Sequence, residues 1–239
     1  MPLMNTEPFG MTLLIDKPLN WTSFDVVNKL RYAVKEQTGK KKNKVGHAGT
    51  LDPLATGLLL ICIGTHTKKI ESMTGLNKTY TGKILIGSTT PSYDLETPIN
   101  ENFPVPAFDP NELKSVANSF LGKTQQLPPI FSAKKINGKK AYELARKGKE
   151  VTMKASEIEI TQFDIDTENY PEIGFTISCS KGTYIRSIAH DFGQRLNSGG
   201  HLTSLRRVKI GPYSIDEALT IEGGLKAIET SHAKYLKDK

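Results

Sequence analysis

The sequence predicts an α+β fold with a central mixed, mainly antiparallel sheet flanked by helices. Three observations carry this. Apolar and polar residues alternate over strand-length stretches such as Lys78–Ile86, where Tyr80, Gly82, Ile84 and Ile86 share one face. Other stretches repeat apolar residues at helical spacing, as Val26, Val27, Leu30, Ala33 and Val34 do. The two kinds of segment follow one another irregularly, whereas a doubly wound parallel sheet needs strand and helix in regular alternation.

In chain order, Thr12–Ile15 is a short strand and Asp16-Lys17-Pro18-Leu19-Asn20 a turn. Thr22 or Ser23 caps the helix that carries Val26 to Val34. Glu36–Asn43 reads as a polar, basic loop. Leu58–Ile63 is a continuous apolar run bounded by Gly57 and Gly64, the pattern of a buried strand. A short helical stretch near Thr67–Met73 precedes the Lys78–Ile86 strand, and Thr89–Phe108, with four prolines, is a loop. Asp109 caps a helix that starts on Pro110, shows Leu113, Val116, Ala117, Phe120 and Leu121 on one face, and closes on Gly122. Gln126-Leu127-Pro128-Pro129 is irregular, and the turn Asn137-Gly138 is followed by a brief helix over Lys140–Lys147. Ile158–Ile165 and Ile173–Ser180 are strands. Thr183 caps a helix with Ile185, Ile188, Ala189, Phe192 and Leu196 on one face. A basic strand covers Leu205–Ile210, and two short helices near Asp216 and Gly223 end the chain.

A chain of 239 residues is long enough for one large domain, or one domain with an appendage. No apolar stretch approaches membrane-spanning length, and Met1–Gly10 lacks the layout of a signal peptide, so a cytoplasmic protein with no membrane partner is expected. Cys62 and Cys179 fall in apolar or alternating segments and read as reduced core thiols. Two cysteines and five scattered histidines offer no metal-ligand spacing, so no metal is expected. The net charge is +7. Its distribution is more telling than its size: Lys40, Lys41, Lys42 and Lys44 cluster before Gly46, and a second cluster runs from Lys134 through Arg146 to Lys149. Two such clusters favour a phosphate-binding face.

The densest chemistry lies in Gly46-His47-Ala48-Gly49-Thr50-Leu51-Asp52-Pro53-Leu54-Ala55-Thr56-Gly57. Twelve residues hold one carboxylate, one imidazole and three glycines, and they lead into the buried strand. Pro53 biases Asp52 toward extended backbone and away from helix. A reactive group on such a constrained loop is both rigid and within reach of a ligand.

This string closely resembles the catalytic loop of the TruB-type pseudouridine synthases, which convert one uridine of the tRNA T-loop (U55) to pseudouridine. The likeness implies that Asp52 is the catalytic aspartate and that the fold is pseudouridine synthase-like. A second segment, from Cys179 to Asp191 and including Lys181-Gly182-Thr183-Tyr184-Ile185-Arg186, resembles another motif of the family. By that resemblance Arg186 pairs with Asp52 and keeps it anionic. Tyr80 is the ring that stacks on the target uracil and a candidate base for its C5 proton. Tyr184 and Leu205 lie near the same pocket, and His47 helps hold the T-loop open once the base has left. Asp16-Lys17-Pro18 resembles the first motif, with Asn20 where glycine is common, and Lys17 is a candidate for loop stabilisation or phosphate contact. Asn tolerates the left-handed backbone such a turn needs.

The basic insertion at about 124–153, with Lys134 and Arg146, matches the segment that clamps the T-arm. The implied catalytic domain covers residues 1–213 and is followed by a short helical C-terminal extension at 214–239, with no full PUA-type RNA-binding domain. The resemblance implies an isomerase that needs no cofactor, acts on tRNA, has no obligate protein partner and works as a monomer. A non-catalytic RNA-binding module on the same fold would have no use for Asp52, Tyr80 and Arg186 together. A guide-RNA-dependent relative would need additional protein-binding surfaces.

Overall fold

The computed structural model describes residues 10–39, 41–132, 135–136, 139–140 and 153–237. The chain divides into two compact units, one formed by Met1–Leu76 with Arg206–Lys239, the other by Asn77–Leu205.

The first unit begins with β1 (Gly10–Lys17) and α1 (Ser23–Thr38). Thr22 caps α1 through a capping box with Asp25, in which each side chain bonds the other residue's backbone. The helix outruns its predicted end at Glu36: Thr38 bonds back to the carbonyl of Val34, and Gly39 closes it in left-handed conformation. Next come β2 (Val45–Ala48) and β3 (Ala55–Gly64), paired antiparallel with His47 opposite Ile61. Thus His47 stands on a strand, where the sequence suggested a loop. A 3-10 turn (Thr65–Lys69) and α2 (Ile70–Thr74) follow.

Residues Leu58–Ile63 of β3 are all apolar because both faces of the strand are buried there. Leu59, Ile61 and Ile63 pack with Leu13, Ile15, Val26, Leu30 and Val34, while Leu58, Leu60 and Cys62 pack with Ala48, Met73 and Ile210.

The second unit holds β4 (Lys78–Ile86), the two-residue strands β5 (Ser88–Thr89) and β6 (Glu101–Asn102), α3 (Pro110–Asn118) and β7 (Gly122–Gln126). Asp109 caps α3 as predicted, but Ser119 ends it, and Gly122 instead opens β7, a strand the sequence reading did not identify and whose last residue, Gln126, it took as irregular. Lys135–Ile136 (β8) pairs antiparallel with Lys139–Lys140 (β9), so the arm expected to be helical begins as strand; residues 137–138 and 141–152 lie outside the described residues. Then come β10 (Ser156–Asp166), β11 (Glu172–Cys179) and α4 (Ile185–Arg195). The pairings β4–β11, β11–β10 and β10–β7 are all antiparallel. Phe120, Phe163, Phe175 and Phe192 form an aromatic cluster between sheet and helices. Tyr184, not Thr183, is the N-cap of α4, and the Thr183 hydroxyl donates to the carbonyl of Ser180.

Strand β12 (Gly200–Ile210) is longer than its predicted basic half and contributes to both units. In the first unit it pairs with β13 (Tyr213–Ser214) and is followed by a 3-10 turn at Ile215–Glu217. The final helix, α5 (Ile221–Lys237), is a single helix of 17 residues in place of a short one. Ile221 and Ile228 join the core beside α1, and Leu219 exchanges backbone bonds with Leu14 and Asp16. Both cysteines are free and buried.

Candidate active site

In the first unit, Asp52 sits half-buried on the loop between β2 and β3. The loop is gripped by its backbone at four successive places. Arg207 on β12, with 1% of its surface exposed, donates to the carbonyls of Gly49 (3.0 Å), Thr50 (3.4 Å) and Leu58 (2.8 Å). The Ser23 hydroxyl, at the start of α1, accepts from the Leu51 amide (2.8 Å) and donates to its carbonyl (3.0 Å). Lys17, wholly buried at the end of β1, donates to the carbonyls of Trp21 (2.6 Å), Pro18 (2.9 Å) and Pro53 (3.4 Å). The Asn20 amide also reaches the Pro53 carbonyl, at 2.9 Å, with Asn20 itself at φ 64°. A buried carbonyl left without a donor is costly, so these bonds leave the loop few alternatives.

Gly57 has φ 105°, and a Cβ there would collide with the backbone of Arg207. The close approach of β3 to β12 therefore requires glycine. It also brings the Arg207 guanidinium within reach of the loop.

Two buried cations, Lys17 and Arg207, lie in the neighbourhood of Asp52. Burial pushes the Lys17 ammonium down to about 8, the Asp52 carboxylate opposes that, and Arg207 adds to it. The Asp52 anion thus offsets part of the cost of burying positive charge. His47 is pushed down by burial first and by Arg207 second, which favours its neutral form. Its Nδ1 is sealed from solvent with no hydrogen-bond partner among the described residues. Arg206, next along β12, forms a bidentate pair with Asp16 at 2.7 and 3.0 Å. Of the expected residues, this unit brings together Lys17, His47 and Asp52. Lys17 is turned inward onto carbonyls, a geometry that serves loop stabilisation and leaves its ammonium no exposed surface for a phosphate.

In the second unit, Arg186 lies in the first turn of α4 with 5% of its surface exposed. Its Nη1 donates to the Ser92 carbonyl at 3.2 Å, and its Nε lies 3.7 Å from the Asp94 carboxylate. The Asp94 main chain is held in turn: its carbonyl accepts from the hydroxyls of Thr90 (2.6 Å) and Ser92 (3.2 Å). Between them Tyr93, at φ 63°, lays its ring flat on His190 with centroids 4.0 Å apart. Tyr184 is fixed by its backbone, its amide donating to the Gln126 side-chain oxygen (2.8 Å) and its carbonyl accepting from the Gln126 amide (3.0 Å). Tyr80 is buried on β4 opposite Ile177, and Leu205 is half-buried on β12. Lys134 and Arg146 lie outside the described residues.

Sequence reasoning missed Ser23, Arg207, Ser92, Tyr93, Asp94, Gln126 and His190. His190 carried a usable signal, since it stands inside the Cys179–Asp191 motif; Asp94 is one of three acidic residues in its loop, with Glu96 and Glu101, and nothing in the sequence sets it apart.

Comparison with known proteins follows the same line. Residues 35–185 match the family model described as TruB family pseudouridylate synthase (N terminal domain). Residues 186–238 match that of the tRNA pseudouridylate synthase B C-terminal domain. The chain is 53% identical over 213 residues to a protein of Flavobacterium johnsoniae named tRNA pseudouridine synthase B, covering 89% of this chain and 93% of that one. It is 49% identical over 228 residues to a protein of the same name from Chloroherpeton thalassium, covering 95% and 94%. Among solved structures it is similar to a chain of a Cbf5-Nop10-Gar1 complex, with a TM-score of 0.70 at 21% identity, over 94% of this chain and 59% of that chain. A chain of an H/ACA RNP bound to a substrate RNA containing 2'-deoxyuridine gives 0.64 at 22% identity, over 90% and 51%. At that identity the two structures speak for the fold alone.

Proposed function

The chain belongs to the TruB family of pseudouridylate synthases, and from that premise we propose that it isomerises uridine 55 in the T-loop of tRNA to pseudouridine, with Asp52 as the reacting carboxylate. The observation that carries the assignment is the Asp52 loop itself: a family motif whose backbone carbonyls at residues 49, 50, 51 and 53 accept from donors on three other elements. Such pre-organisation holds a reacting group in place without rearrangement during the reaction.

The chemistry sets the remaining roles. The bond between uracil N1 and ribose C1′ breaks, the base turns, and C5 joins C1′; the proton lost from C5 is balanced by one gained at N1. Nothing is oxidised or reduced, so the isomerisation calls for no redox cofactor. Asp52 adds to uracil C6 or assists cleavage at the ribose, and both routes use the same anion. Arg186 is the cation assigned to favour that anion. Tyr80 stacks on the everted base and takes the C5 proton, while Tyr184 and Leu205 border the uracil. Extruding a base costs about a few kcal/mol, and His47 offsets part of this by filling the place it leaves. Lys134 and Arg146 grip the T-arm backbone, where contacts follow shape and charge more than sequence. The enzyme works as a cytoplasmic monomer without an obligate protein partner.

The test uses the purified protein, in chelator, with unmodified tRNA carrying tritium at uridine C5. Wild type releases tritium. Asp52→Asn releases none yet keeps salt-sensitive tRNA binding, and Arg186→Met is likewise inactive. Release by Asp52→Asn at the wild-type rate would remove the carboxylate from the mechanism.

A further inference from the structure

We infer that the stacked pair Tyr93–His190 is a positioning device for Arg186, locking the segment Ser92–Asp94 onto helix α4 so that the guanidinium holds one geometry. The inference rests on the proposed role of Arg186.

Arg186 and His190 are four residues apart on α4 and therefore share a face. Three consecutive residues meet that face. Ser92 takes a hydrogen bond from Arg186, Tyr93 stacks on His190 with an interplanar angle of 13°, and Asp94 faces the Arg186 Nε. Extended backbone would turn successive side chains to opposite sides. Here the left-handed backbone at Tyr93, φ 63°, breaks that alternation. A bulky aromatic residue is uncommon in this conformation, which glycine and asparagine favour.

A separation of 3.7 Å from Asp94 is an electrostatic attraction with little directionality, and Ser92 contributes one carbonyl. What these two contacts do for the guanidinium depends on where the 92–94 backbone is held. Its anchors include the Thr90 and Ser92 hydroxyls on the Asp94 carbonyl, the Tyr93 amide on the Thr90 carbonyl (3.1 Å), the Ser92 amide on the Thr97 hydroxyl (3.1 Å), the Glu96 amide on the Asp94 carboxylate (3.0 Å), the Leu202 amide on the Tyr93 carbonyl (3.0 Å), and the ring stack one helical turn from Arg186. The stack ties the segment to α4 without using the Arg186 side chain. Nδ1 of His190 has no hydrogen-bond partner among the described residues, as suits a ring that works through its face.

Four variants test this: Tyr93→Phe and His190→Phe keep a stack, while Tyr93→Asn and His190→Ala lose it, and Asn tolerates the left-handed backbone. Tritium release is measured alongside KM for tRNA and the melting temperature. The two stack-keeping variants should stay within about twofold of wild type, and the other two should lose about tenfold or more in kcat with KM and melting little changed, as a slightly misplaced group does. In an Arg186→Lys background the Tyr93→Asn loss should largely vanish. Wild-type kcat in Tyr93→Asn and His190→Ala, with Arg186→Met inactive, overturns this inference and spares the role of Arg186. An active Arg186→Met overturns that role itself. A loss in Tyr93→Phe equal to that in Tyr93→Asn would assign the effect to the hydroxyl and refute the stack.

Discussion

Around Asp52 the grip is on the backbone. Arg207, Ser23, Lys17 and the Asn20 amide bond the main chain of the loop at residues 49, 50, 51 and 53, and none of those bonds uses the Asp52 carboxylate. Around Arg186 the grip is on the side chain itself, through the Ser92 carbonyl and Asp94, with the Tyr93–His190 stack one turn away. The two arrangements suit different charges. A loop that must present a carboxylate is fixed by cations reaching its carbonyls, which also set a positive potential beside the anion. A guanidinium is fixed by acceptors, and those acceptors bear on its head group. Damage to the first region should therefore register mainly as lost stability, and damage to the second mainly as lost rate.

The largest effect expected is from Arg207→Met. It removes the donor to three carbonyls, and a buried network broken on one side costs about 3–5 kcal/mol. In a chain of this size that lowers the melting temperature by about 10 °C, read by calorimetry or denaturant titration. A melting temperature within about 2 °C of wild type would mean that the loop holds its shape without the buried guanidinium.

Lys17 sharpens the same region through pH. Its ammonium is pushed down to about 8, against a usual 10.5, by burial. Between those values the unfolded chain holds a proton that the folded chain has released. Stability from this site therefore rises with pH across that window, by up to about 3 kcal/mol. Lys17→Met should lack that rise, while the other titrating groups cancel in the comparison. Equal slopes in the two proteins, from denaturant midpoints at pH 7.5 and 10, would show that burial does not weaken this ammonium.

On the other side of the comparison, Asp94→Asn should lower kcat by about ten- to a hundredfold, the loss expected when a preorganised charge is removed, with tRNA affinity nearly kept. If instead it melted the protein and left the surviving fraction fully active, the two regions would not differ in kind.

How far the sequence reaches follows the same division. The Asp52 loop stood out in the sequence because carboxylate, imidazole and glycines lie within twelve residues, and the resemblance of that string to a family motif singled out Asp52 as the expected catalytic residue. Strand β3 and helices α1 and α3 were legible from periodicity and caps. Arg207 was not, since it acts 149 to 158 residues away, on carbonyls that have no sequence signature. Strand β2 is Val-Gly-His-Ala, with little intrinsic strand preference, and exists because β3 offers it an edge. The polar strand β7 is paired with β10, again a tertiary effect. Helix α5 was underestimated because Gly223-Gly224 reads as a break; at Gly224 a Cβ would press on Ile15, so the small residue allows close packing against β1.

The smallest effect, and the finest test of the contrast, concerns Gln126. Tyr184 stands at the N-cap of α4 without a side-chain capping bond, and Gln126 from β7 closes on both its amide and its carbonyl. Here the second region uses the backbone grip of the first, through one neutral side chain. Gln126→Ala leaves the Tyr184 amide without its acceptor and takes one of two donors from its carbonyl, which keeps the Ile188 amide at 3.3 Å, at a cost of about 1–3 kcal/mol. Gln126→Glu separates the two bonds, since a carboxylate still accepts from the Tyr184 amide but cannot donate to its carbonyl, so its stability should fall between wild type and alanine. Because Tyr184 is proposed to border the uracil, both variants should raise KM for tRNA more than they lower kcat, opposite to Asp94→Asn. The same kinetic split in Gln126→Ala and Asp94→Asn would place Tyr184 and Arg186 under a single constraint.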